Sequence, residues 1–170
     1  MLIRSLRRAV VAGATATATV VLAAAPALAH VEPDVSAIPA GEATTVALTI
    51  GHGSRESPTT SVAVQLPDGL ESASGVAASG WTIDSSDGVV TWTAEAGEEL
   101  PSDEEQSFEL ELTPSEDQVG DTLYLKTVQT CEEGENRWID EGGAEGDEPA
   151  NPAPAAEGPQ QTVLHAHQRP

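Results

Sequence analysis

Cysteine is nearly absent from this chain. Cys131 is the only one among 170 residues, so no disulfide can form within it. Aromatic residues are also few: three tryptophans, one tyrosine and one phenylalanine. The core is therefore small, and no aromatic surface is available to grip a polysaccharide. Basic residues are scarce, seven against 28 acidic ones, for a formal net charge of −21. Arg4, Arg7 and Arg8 take three of the seven, which leaves Arg55, Lys126, Arg137 and Arg169 for everything after residue 29. So acidic a body repels phosphate backbones and anionic lipid, which argues against nucleic acid and membrane surfaces as partners. It favours cations, or serves solubility in a salty medium. Beyond residue 29 no apolar run reaches the ~18 residues a membrane span needs. Gly-x-Ser-x-Gly, His-Glu-x-x-His, Cys-x-x-Cys and a phosphate-cradling glycine loop are missing as well, and hydrolytic machinery with them.

What the chain does have is a leader. The three arginines precede an alanine- and valine-rich stretch from Ala9 to Ala25, followed by Pro26 and Ala27-Leu28-Ala29. This layout predicts a secretory signal peptide over 1–29, removed after Ala29. The product is then secreted or periplasmic and begins at His30. A free α-amine and an imidazole would share that one residue. Their ordinary pKa values, about 8 and about 6.5, let both release protons to a metal.

Residues 30–140 read as short strands between turns. Thr45–Ile50, Ser61–Leu66, Trp81 with Ile83, Val89–Thr93, Phe108–Leu112, Leu123 to Val128 and Trp138-Ile139 carry partial period-two alternation. Pro67-Asp68-Gly69 and Asp87-Gly88 are turn signals. The pattern predicts an all-β, immunoglobulin-like antiparallel sandwich. From 141 the composition shifts to Gly, Glu, Ala and Pro, which predicts a disordered acidic tail over 141–170. Val163 to His167 reads as a last strand or a frayed end.

Four places besides His30 bear on chemistry. Gly51-His52-Gly53 ends a predicted strand in an accessible loop, where His52 is either solvated or a ligand. Cys131-Glu132-Glu133-Gly134 is an acidic turn with a thiol. Arg137-Trp138-Ile139-Asp140 holds a tryptophan that belongs either to the core or beside a site. His165 and His167 would share a face if extended. Amine, imidazole and carboxylate together form a nitrogen and oxygen donor set, which suits Cu(II) best among the divalent first-row ions.

These pieces, in their order, resemble the YcnI-like family of secreted copper-binding proteins. The resemblance is carried by Ala29-His30-Val31, Pro39-Ala40-Gly41, Gly51-His52-Gly53, Ser57-Pro58-Thr59-Thr60, Val62 to Gly69, Gly80-Trp81-Thr82, Val90-Thr91-Trp92, Val128 to Gly134, Arg137-Trp138-Ile139 and Pro152-Ala153-Pro154. It implies a Cu(II) ion held by a brace on the mature amino-terminal histidine, here His30. Carboxylates complete the set and a tryptophan, here Trp138, lies alongside. Glu133 is the first choice among the carboxylates, followed by Glu132 and Asp140, then Glu56 and Glu32. Copper homeostasis with other extracytoplasmic copper-handling proteins is the implied role.

The chain departs from that pattern in two places. Relatives often carry a cysteine straight after the His-Gly loop, able to pair with the counterpart of Cys131; Ser54 stands there instead. Asn151 replaces a histidine before the last Pro-Ala-Pro. The competing readings are a metal-free binding or adhesion sandwich and, further off, a copper-dependent oxidative enzyme that would need His52 as its second histidine.

Overall fold

A computed structural model describes residues 31–142 and 149–159. Ten strands form its framework. They are β1 (Thr44–Ile50), β2 (Thr59–Gln65), β3 (Leu70–Gly75), β4 (Trp81–Ser86), β5 (Val89–Ala94), β6 (Gln106–Pro114), β7 (Thr122–Tyr124), β8 (Lys126–Cys131), β9 (Glu135–Trp138) and β10 (Ala155–Glu157). One sheet has the order β1-β6-β3, a second β4-β5-β2-β8-β9, and β7 pairs with β10. All these pairings are antiparallel. The all-β sandwich expected from the alternation is what forms.

The alternation does its work in β1 and β6. Val46, Leu48 and Ile50 are fully buried, while Thr45 and Thr49 face out. Opposite them Phe108, Leu110 and Leu112 are fully buried, with Glu109 and Glu111 outward. Slipping the pairing by one residue would put glutamates into the core, so the register Val46↔Leu110 is fixed by burial. The second sheet contributes Val62, Val64, Val90 and Trp92 to the same core. Phe108 joins the two sheets: its ring lies 4.9 Å from that of Trp81, edge-on, and 5.5 Å from that of Trp92. The buried Trp92 indole donates to the Val76 carbonyl (3.0 Å), which satisfies its one polar atom. Asp87 and Gly88, both at positive φ, make the tight β4–β5 hairpin that the Asp-Gly pair predicts.

Two strands escape the alternation argument. β3, Leu-Glu-Ser-Ala-Ser-Gly, is an edge strand of poor β-formers and owes its shape to pairing with β6. A Cβ at Gly75 would stand 2.7 Å from Val90 Cγ1, so the glycine admits the close approach of the facing sheet. β10 corrects the expected boundary at 141. Ala153 and Ala156 are buried, Leu125 N–H donates to the Pro154 carbonyl (2.7 Å), and Glu157 exchanges backbone hydrogen bonds with Ser36 and Ile38. Residues 149–159 are thus part of the sandwich rather than of a tail. Composition misleads here because this segment is held by backbone pairing and small alanines, not by large apolar side chains.

Candidate metal centre

β1 ends, β2 begins, β8 ends and β9 begins at one end of the sandwich, so the loop 51–58 and the turn 132–134 meet there. The loop is strained. His52, Arg55 and Glu56 all sit at positive φ (47°, 52° and 60°), a region that costs non-glycine residues about 1–3 kcal/mol each. Its partners hold it in place. Gly53 N–H donates to the Ser102 carbonyl (3.3 Å), and a Cβ on Gly53 would overlap the Ser57 carbonyl oxygen. The Ser57 hydroxyl donates to the Ser54 carbonyl (2.7 Å) and accepts from Glu133 N–H (3.0 Å), which ties the loop to the acidic turn.

Beneath the loop lies a polar row inside the sheet. Gln129, fully buried, donates to the Thr59 hydroxyl (2.6 Å) and accepts from the Asn136 amide (2.9 Å). The same Asn136 amide reaches the His52 carbonyl at 3.5 Å. Gln129→Leu leaves the Asn136 amide only the long bond to the His52 carbonyl and takes from the Thr59 hydroxyl its close donor. We expect a loss of about 1–3 kcal/mol in unfolding free energy, read by urea denaturation.

Cys131 is buried at 5% exposure, and its sulfur accepts the Ser54 N–H at 3.1 Å. Position 54 therefore lies beside the thiol, in keeping with the pairing that the family resemblance implied.

The predicted ligands divide. His52, Glu132 and Glu133 are exposed at this end, and so is Glu56. Asp140 lies beyond the far end of β9, whose four residues put about 13 Å between it and the turn. Its carboxylate is engaged by Asn151 N–H (3.3 Å). Glu133 and Asp140 therefore serve different neighbourhoods. Trp138 is 6% exposed and belongs to the hydrophobic core, as does Val31. Its strand partner is Thr127, in the row that continues through Val64 to Val90. Glu32 is exposed on the arm before β1. His30, His165, His167 and the leader lie outside the described residues. Among the described residues no three of His, Cys, Asp and Glu group closely enough to hold a metal. The exposed donors at this end are an imidazole and carboxylates, a nitrogen and oxygen set. Sequence reasoning missed the row Thr59–Gln129–Asn136; a glutamine and two neighbours of ordinary type carry no signal until strand register aligns them.

The fold and this end of it define an immunoglobulin-like β-sandwich with a strained, polar loop at one pole. The chain belongs to the family described as a domain of unknown function, DUF1775, which matches residues 30–89 and 86–157. It is similar to an uncharacterized protein from Nocardia farcinica whose crystal structure has an immunoglobulin-like fold. Identity is 28%, with 76% of this chain and 98% of that one covered and a TM-score of 0.65. A cohesin module of a Clostridium perfringens family 33 glycoside hydrolase aligns at 13% identity over 78% of this chain and 97% of that one, with a TM-score of 0.49. No curated protein matches by sequence. Neither the family nor the Nocardia protein is described as an enzyme.

Proposed function

We propose that the chain is an extracytoplasmic Cu(II)-binding protein of copper homeostasis, with His30 as the mature amino terminus and anchor of the ion. The observation that carries this reading is the burial of Val31, 3% exposed in the same core cluster as Trp138. One trans peptide, about 3.8 Å between α-carbons, then separates His30 from a residue fixed in the body of the sandwich. The His30 amine and imidazole would supply the chelate that the described residues lack. Val31 lines a pocket with Glu32 and Pro152, and Pro152 bridges to Asp140, so Glu32 and Asp140 are carboxylates on the segments beside it. Glu133, Glu132 and His52 are candidates through the family resemblance. The chain acts by holding and passing on the ion, not by chemistry on a substrate.

The test is the intact mass of the exported protein, with and without one equivalent of Cu(II). A chain beginning at His30 that retains one copper supports the reading. Another start, or no retained copper, returns the protein to a metal-free binding sandwich in which Trp138 is simply core.

A further inference from the structure

The outward face of the five-stranded sheet carries a groove of about 700 Å³, away from the loop 51–58. Half-buried Ala63, Val128 and Ile139 give it an apolar strip among the polar Gln65, Asp68 and Thr122, with Tyr124 at its side. The described residues include only three lysines or arginines, and two of them, Lys126 and Arg137, line this groove. Arg137 pairs with Val128, two residues along β8 from Lys126. Diagonal neighbours of this kind stand about 7–8 Å apart. Each cation has an exposed acidic partner. Lys126 Nζ meets Glu141 Oε1 at 2.7 Å, with the two side chains 39% and 53% exposed, and Arg137 meets Glu135 at 3.0 Å. Pairs so exposed contribute little and exchange readily.

We propose that this groove binds a small ligand bearing one or two carboxylates on an apolar body, with a ligand carboxylate displacing Glu141 from Lys126. The apolar strip takes the body and the two cations take the charge. A small ligand fits better than a polyanion, because the strongly acidic body repels extended negative charge. The volume is within the range of small-molecule sites.

The probe is suberate, an eight-carbon dicarboxylate, titrated into the full-length exported protein and followed by NMR, with 1,8-octanediol as the uncharged control. Saturable shifts of the Val128 and Ile139 methyls and the Tyr124 ring are expected with suberate and not with the diol. Lys126→Met should weaken the affinity about threefold or more, and Glu141→Gln should strengthen it by a similar factor, since it removes the competitor. Unchanged Val62 and Leu110 methyl signals verify that both variants fold. No saturable shift by about 10 mM suberate overturns the site. An equal response to the diol, or affinities untouched by both substitutions, overturns it too.

Discussion

His30→Ala should abolish stoichiometric retention of Cu(II) by the mature protein. The substitution leaves an amine but removes the ring that would close the chelate. Losing a group that merely orients a metal ligand already costs about 10- to 100-fold in affinity, and the loss of a chelating ring should exceed that. A companion variant separates the brace from a lone imidazole. One alanine inserted before His30 keeps the ring and moves the amine one residue away, and it should weaken binding about as much as His30→Ala. Competition titration against a chelator of known affinity measures both. If neither variant loses affinity, His30 does not anchor copper, and His52 with the turn carboxylates becomes the place to look.

A second large effect is expected from Ser54→Cys. The Ser54 nitrogen lies 3.1 Å from Cys131 Sγ, and the two residues are 77 positions apart in sequence. A disulfide there would close a long loop in the unfolded chain and stabilise the fold by about 2–4 kcal/mol, raising the melting temperature on the order of 10 °C. The variant should show no free thiol under oxidising conditions, and reductant should erase the gain. Two titratable thiols in the oxidised variant would show that loop and turn do not meet as described. Ser54 already supplies its backbone N–H to the sulfur, so wild-type Cys131 has a partner without a covalent one.

The sandwich was legible in the sequence where burial is one-sided. Phe108 and Leu110, flanked by Ser107, Glu109 and Glu111, define both strand and face. β3 was not legible, because Ser72 and Ser74 have no strand preference of their own and are extended only by their partners on β6. β10 was missed for a related reason: Ala156 is 2% exposed but too small for composition to register. At the candidate centre the loop His52 and the acidic turn were legible as separate motifs. Their meeting through Ser57 and Glu133 was not, since it depends on which strands end together. Glu133 and, behind it, Asp140 read as carboxylates beside Trp138 on either side, and the intervening strand separates them.

The pairing of residues 36–38 with Glu157 also sets the order in which the molecule can be completed. Pro33 and Asp34 of the arm ahead of β1 pair early with Leu48 and Ala47, but residues 36–38 find their partner only when residue 157 is available. A chain emerging from amino to carboxyl end must keep the arm's neighbouring edge open until almost its whole length is present. Contacts this distant in sequence form slowly. Cutting the chain just before Ala155 therefore removes more than three residues of strand. It leaves Ser36 and Ile38 without their backbone partners, and unravelling would begin at the arm that carries Val31.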